Sequence, residues 1–220
     1  LMAGIVVVDY HKGNLLSVVR SLADVGGSAV ASDDPATIRD ASGVVLPGVG
    51  SFEDAMLFMD ESGQSPAVVD AIGRGVPFLG ICLGLQLLFE RGDERVAQPA
   101  DDGRWVSGLG VLRGSATRLV SSRLKVPHVG WDQLQLTDHG RACPLFAGVA
   151  QGANVYFTHS YALDEDVDPA DVAGYTHYVR SFASAVWHDN VFGVQFHPEK
   201  SSTVGLGILA NYVRLVGGRA

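Results

Sequence analysis

The chain has 220 residues, 47% hydrophobic and 18% charged, a balance that excludes a disordered polypeptide, which needs low hydrophobicity and high charge. A formal net charge of −8 provides no basic field to neutralise nucleic-acid phosphates, which excludes nucleic-acid binding as the main role. The longest apolar run without charge, Gly75 to Phe89, has fifteen residues, short of the roughly twenty that a spanning helix needs, so no membrane role is expected.

Along the chain, Gly4–Val8 is a β-branched run of buried-strand type with no basic lead before it, so it reads as a strand and not as a secretion signal. Asn14 to Val25 carries Leu15, Val18, Val19, Leu22 and Val25 at helical spacing and stops at Gly26-Gly27. A short strand around Val30 follows, then Asp33-Asp34-Pro35 opens a short helix with acidic residues at its positive end. Gly43–Leu46 is a third strand ending at Pro47-Gly48, Phe52–Asp60 and Ser65–Arg74 read as helices, and Pro77–Ile81 is a fourth strand. Strands alternating with helices predict a parallel sheet covered on both faces. Arg91–Gly108 is polar and reads as a surface loop. Beyond it, Val111–Leu119, Trp131–Leu136, Ala153–Phe157, Val172–Tyr178, Ser181–Trp187 and Val191–Gln195 are short strands read as an antiparallel extension of the first sheet, and Ser202 to Val216 closes the chain as a helix. No linker divides the chain, so a single domain over residues 1–220 is expected. The fold class read from this order is α/β, with a mixed, mostly parallel central sheet, helices on both faces and an antiparallel extension.

The chemistry concentrates at two segments. Gly80-Ile81-Cys82-Leu83-Gly84 matches the nucleophile-elbow pattern G-x-S-x-G with Cys in place of Ser, after an apolar strand and before a helical pattern. The glycines allow the tight strand-to-helix turn, and the turn would aim Cys82 out of the sheet at a helix N-terminus, where the dipole favours the thiolate. A cysteine nucleophile needs a base and the base needs an orienting acceptor. In the extended segment Phe196-His197-Pro198-Glu199, residues two apart face one side, so Glu199 can fix the His197 tautomer while the other ring nitrogen faces Cys82. The remaining histidines show no metal-ligand spacing, and there is no C-x-x-C, Walker A or strand-borne G-x-G-x-x-G, so neither a metal nor another cofactor is expected. Two cysteines without a disulfide framework point to a reducing cytoplasm.

Gly80-Ile-Cys82-Leu-Gly84-Leu-Gln86 together with Gly193-Val-Gln195-Phe-His197-Pro-Glu199 resembles the class I, triad-type glutamine amidotransferases. Five further segments, Asp9–Leu15, Leu46–Phe52, Pro127–Trp131, Tyr156–Tyr161 and Glu199–Ser201, narrow the resemblance to the glutaminase subunits of imidazole glycerol phosphate synthase. The elbow helix here carries Leu85-Gln86, where anthranilate-type and GMP-synthase-type relatives usually have His before the Gln. The resemblance implies a flavodoxin-like fold, L-glutamine as substrate, a glutamyl thioester on Cys82, and ammonia passed to a (β/α)8 cyclase subunit in a heterodimer of histidine biosynthesis. It also implies an oxyanion hole from the Leu83 N–H and the Pro47-Gly48-Val49-Gly50 turn, whose glycines would let a peptide flip and aim the Val49 amide inward. Gln86 and the backbone of His159, Ser160 and Tyr161 would hold the substrate, and Lys12, Asn14, Trp131 and Lys200 would face the partner; Trp131 reads almost as readily as a core residue. Two positions depart from the family, which usually has Gly where this chain has His11 and Asn where it has Asp132. A glutaminase of another synthase and a free-standing γ-glutamyl hydrolase remain open as alternatives.

Overall fold

The computed structural model describes residues 4–13, 15–95 and 105–218. The chain begins β1 (Ile5–Val8), α1 (Leu15–Asp24), β2 (Ala29–Ser32), α2 (Pro35–Arg39), β3 (Gly43–Gly48), α3 (Phe52–Glu61), α4 (Gln64–Gly73), β4 (Phe78–Cys82) and α5 (Leu83–Gln86). It continues with β5 (Phe89–Gly92), β6 (Val106–Ser107), β7 (Leu112–Arg118), β8 (His128–Leu136) and α6 (Asp138–Ala142). The last third holds β9 (Ala153–His159), β10 (Tyr161–Leu163), β11 (Val172–His177), β12 (Ser181–His188), β13 (Val191–Val194) and α7 (Ser202–Gly217).

Among the described residues the strands form two sheets, a nine-stranded one in the order β2-β1-β3-β4-β13-β12-β11-β8-β9 and a four-stranded one in the order β10-β7-β5-β6. The first is parallel from β2 to β13 and antiparallel from β13 to β9. Alternation along the central strands sends side chains to opposite faces. Val6, Val8, Val44 and Leu46 pack with residues of α2, α3 and α4 in one core, while Ile5, Val7 and Val45 pack with residues of α1 and α7 in the other. Helices on both faces and a parallel centre agree with the sequence reading.

Three expectations need correction. The strand expected at Val111–Leu119 does not extend the first sheet: β7 pairs parallel with β5 and antiparallel with β10 in the second sheet. The strand expected at Val191–Gln195 is not antiparallel to its inner neighbour, because the β12–β13 hairpin returns β13 alongside β4, parallel to it. All four β13 residues are buried, as a strand covered on both faces requires. The polar segment Arg91–Gly108 is not wholly loop, since Arg91 and Gly92 pair with Ser107 and Val106 across β5 and β6; its middle, residues 96–104, lies outside the described residues.

The register of the parallel strands prepares the site. Gly48 lies opposite Cys82, and Gly193 and Val194 lie opposite Gly80 and Ile81, so β3, β4 and β13 end side by side. Ligand sites of open α/β sheets form outside the carboxyl ends of such strands.

Candidate active site

Cys82 sits at φ 56° and ψ −109°, a backbone conformation unfavourable for a side chain with a Cβ and typical of a strained strand-to-helix elbow. The flanking glycines make the turn sterically possible. A Cβ on Gly84 would overlap the Leu46 carbonyl oxygen, and one on Gly80 would meet the Gly84 carbonyl. The helix after the elbow is a single turn, Leu83–Gln86. One turn carries less macrodipole than a longer helix would.

His197 arrives from β13. The segment after it is pinned to the antiparallel half of the sheet: His197 N–H donates to the Tyr156 carbonyl (2.9 Å), and the Ser201 hydroxyl bonds the His197 carbonyl (2.6 Å) and accepts from Tyr156 N–H (2.9 Å). His197 Nδ1 lies 2.8 Å from Glu199 Oε1, and these side chains are only 4% and 5% exposed. Burial alone would push the imidazole down, but attraction to Cys82 and to the hydrogen-bonded Glu199 outweighs it and holds its pKa up at about 9. Cys82 acts on the ring without closing a regular hydrogen bond, because Nε2 is buried and has no partner of ordinary geometry. The structure thus brings Cys82, His197 and Glu199 together, with one ring nitrogen held by a carboxylate and the other left for a proton. Cys143 is buried elsewhere, and desolvation pushes its thiol up to about 12.

A cleft of about 290 Å³ opens over Cys82, at the small end of the roughly 300–1,000 Å³ common for small-molecule sites and suited to an amino acid. Gly48, Val49, Gly50, Leu83, Gln86, His159, Ser160 and Tyr161 line it, so the residues expected for the oxyanion hole and the substrate wall meet there, except Pro47, which borders a smaller cavity. The Val49 amide is differently engaged from expectation. Its N–H donates to the Tyr10 hydroxyl (3.0 Å), and that hydroxyl donates to the Val49 carbonyl (3.2 Å). In this conformation the Val49 N–H is committed to Tyr10 and is not presented to the cleft. Gly50, at φ 103°, completes the turn in a region glycine enters freely.

Three contributors escaped the sequence reading. Tyr10 is one. Glu94 is the second: it lines the cleft, accepts from Phe52 N–H (3.1 Å), and its carboxyl is raised chiefly by burial. It lies in a polar stretch without periodicity, so no sequence signal marks it. Gln195 is the third, donating from Nε2 to Cys82 Sγ at 3.5 Å and accepting on Oε1 from Gln86 at 3.0 Å. The two-residue alternation that pairs His197 with Glu199 also puts Gln195 on their side, and would have found it.

Of the residues expected to face a partner, Lys12 and Lys200 lie at the same end. Trp131 is 54% exposed and packs edge-to-face on Tyr156, which settles it as a surface residue and not a core one. Lys12 and Lys200 border a second, smaller cavity behind Val49 that also touches His197 and Glu199. Asn14 lies outside the described residues. His11 takes φ 60°, where glycine is at ease, and steadies it with its N–H on Asp9 Oδ1 (2.7 Å) and its ring near Asp33 (3.3 Å).

Comparison with known proteins agrees with this geometry. A relative from Moorella thermoacetica, imidazole glycerol phosphate synthase subunit HisH, is 44% identical over 98% of this chain and 96% of its own length. The protein of the same name from Symbiobacterium thermophilum is 45% identical over 98% and 95%. Among solved structures, a glutamine amidotransferase shares the fold at a TM-score of 0.70 and 18% identity, covering 97% of this chain and 100% of that one. The glutaminase domain of a Trypanosoma brucei CTPS, with bound acivicin, does so at 0.67 and 14%, covering 98% and 93%. The family model for class I glutamine amidotransferases matches residues 6–214, and the chain is a member of that family.

Proposed function

We propose that the chain is the glutaminase subunit of an imidazole glycerol phosphate synthase, hydrolysing L-glutamine to L-glutamate and ammonia for a (β/α)8 cyclase partner in the cytoplasm. The observation that carries the chemistry is the assembly of Cys82, His197 and Glu199 at the ends of β4 and β13, with His197 Nδ1 held at 2.8 Å by a buried carboxylate. Relatives at 44% and 45% identity over nearly the full length support the synthase assignment over the two open alternatives.

In this reading His197 already holds the proton given up by Cys82, in line with its pKa of about 9, and the sulfur attacks the glutamine γ-carboxamide. The tetrahedral oxyanion is held by Leu83 N–H and, once its peptide turns away from Tyr10, by Val49 N–H. His197 then gives its proton to the leaving nitrogen, ammonia departs, and a glutamyl thioester remains. Water, deprotonated by His197, attacks the thioester and releases glutamate. Glu199 keeps the ring oriented and offsets its positive charge throughout, the part a buried carboxylate takes in such triads. Gln86 and the His159–Tyr161 backbone hold the amino-acid end, and the Glu94 carboxylate is placed to meet its ammonium group. Trp131, Lys12 and Lys200 form the face toward the cyclase, where Lys200 meets a partner carboxylate; the glutaminase is one domain and needs no cofactor.

Cys82→Ser tests the assignment. It is nearly isosteric and should abolish glutamine hydrolysis while leaving ammonia-dependent synthesis by the complex intact. A glutamine-like electrophile should label Cys82 and spare Cys143; label on Cys143 would overturn the reading. Co-purification with a (β/α)8 cyclase separates the synthase component from a free-standing hydrolase.

A further inference from the structure

A run of buried polar groups leads from the nucleophile through the cleft wall to the outer strand β8. At its inner end Gln195 Nε2 donates to Cys82 Sγ (3.5 Å) and Gln195 Oε1 accepts from Gln86 Nε2 (3.0 Å). Gln86 Nε2 uses its other proton on the Tyr161 carbonyl (2.9 Å). The same carbonyl lies 2.8 Å from His159 Nδ1, and His159 Nε2 lies 3.1 Å from His128 Nδ1. Beyond it, His128 Nε2 faces Asp132 Oδ2 at 3.5 Å. Gln195, Gln86, His159 and His128 are all buried.

From the Tyr161 carbonyl to His128 Nδ1 the protons have one consistent arrangement. A carbonyl only accepts, so His159 carries its proton on Nδ1. Burial foremost, with His128 and His197 nearby, pushes the His159 pKa down to about 3, so the ring is neutral and its Nε2 is a bare acceptor. His128 must therefore donate from Nδ1. Each link fixes the next, and the last one fixes the amide that touches the nucleophile.

We propose that His128 is a positioning residue for Cys82. By donating to His159 Nε2 it keeps the His159 proton on Nδ1, which anchors the Tyr161 carbonyl, the Gln86 amide and the Gln195 amide that holds the sulfur. Without that donor, His159 keeps a buried, unpaired acceptor unless its ring turns, and turning releases Tyr161. The proposal rests on the glutaminase reading of the cleft.

Packing and hydrogen bonding make opposite demands at this position, which gives a clean test. His128 stacks between Tyr178 (centroids 4.0 Å apart) and Phe157 (4.8 Å). His128→Phe keeps the stack and loses the donor, whereas His128→Asn loses the stack and keeps an N–H near the Nδ1 position. Glutamine turnover is measured on the full chain with its synthase partner, alongside the alkylation rate of Cys82 by a glutamine-like electrophile. In His128→Phe, kcat and the alkylation rate should fall roughly tenfold, the scale of one buried hydrogen bond, with KM changed less than about threefold. His128→Asn should retain most of both, though its melting temperature should be the lower of the two. A purely structural role predicts the reverse ranking, and Phe matching or exceeding Asn in kcat would overturn the proposal. In ¹⁵N-histidine-labelled protein, the His159 Nε2 resonance should shift to that of an unbonded acceptor in His128→Phe and stay in place in His128→Asn. An unchanged resonance in both variants would also overturn it. If no form of the protein turns over glutamine, the glutaminase reading fails, and the resonance still decides the hydrogen-bond run.

Discussion

Replacing Tyr10 by Phe should turn up the glutaminase activity of the isolated chain. The Tyr10 hydroxyl accepts the Val49 N–H at 3.0 Å and donates to the Val49 carbonyl at 3.2 Å, so one buried oxygen holds the Gly48–Val49 peptide that would otherwise complete the oxyanion hole and also the next peptide, Val49–Gly50. Burial raises the phenol far above neutrality, so it stays a neutral donor and acceptor across the working range. A hydrogen bond contributes about 0.5–1.5 kcal/mol net, so the one to the Val49 N–H favours the turned-away peptide by roughly 2- to 13-fold. A lost oxyanion donor costs about 10²–10³ in rate, so releasing the latch restores part of it. Glutamate release by the isolated chain, followed under saturating glutamine, should rise about fivefold in Tyr10→Phe, the middle of that range. In complex with the synthase partner, where the proposed mechanism has the peptide turned, the rate should stay unchanged, so the ratio of complexed to isolated rates shrinks by the same factor. A basal rate equal to or below wild type, from a variant with an unaltered melting transition, would refute the latch.

The remaining predictions concern the triad, its pH dependence and the elbow. His197→Asn should lose roughly 10²–10⁴ in kcat, and Glu199→Gln less, because the amide still orients the ring without the stabilising charge; equal activity of Glu199→Gln and wild type would reduce the triad to a dyad. Stability should peak near pH 6.5. The His197 pKa of about 9 lies above its unfolded value, so its contribution is full below pH 6.5 and is lost as pH rises through 9. The His159 pKa of about 3 lies below its unfolded value, so the native state loses ground as pH falls from 6.5 towards 3. Urea titrations should show both limbs, and His197→Asn should flatten the alkaline one. Gly84→Ala should destabilise by about 1–3 kcal/mol in the same assay, since its Cβ has no room beside the Leu46 carbonyl.

What could be read from the amino-acid order was whatever depends on near neighbours. The G-x-C-x-G elbow announces itself because its residues fall within a five-residue pattern, and His197 with Glu199 because extended backbone puts them on one side. Pairings chosen at a distance could not be read the same way. Nothing local in Val191–Val194 says that it lies parallel to β4 rather than antiparallel, and nothing local in Leu112–Arg118 assigns it to a second sheet. Tyr10 reaches Val49 across 39 residues, and Gln195 reaches Cys82 across 113. Such contacts follow from tertiary placement, which a propensity or a spacing does not contain.

The position of β13 in the sheet also bears on how the protein is made. Strands β2, β1, β3 and β4 are all encoded in the first 82 residues, but the neighbour that covers β4 is not synthesised until residues 191–194. Until then a nascent chain carries the apolar strand Phe-Leu-Gly-Ile-Cys as an unpaired edge, the kind of edge on which chains add to one another. The same late strand leads into His197 and Glu199. The nucleophile is therefore present on the ribosome long before its base, and the chain gains its catalytic pair only at the step that closes the sheet. Arrest or truncation before residue 191 should leave an inert, sticky half-sheet, and chaperone dependence should be concentrated in that window of translation.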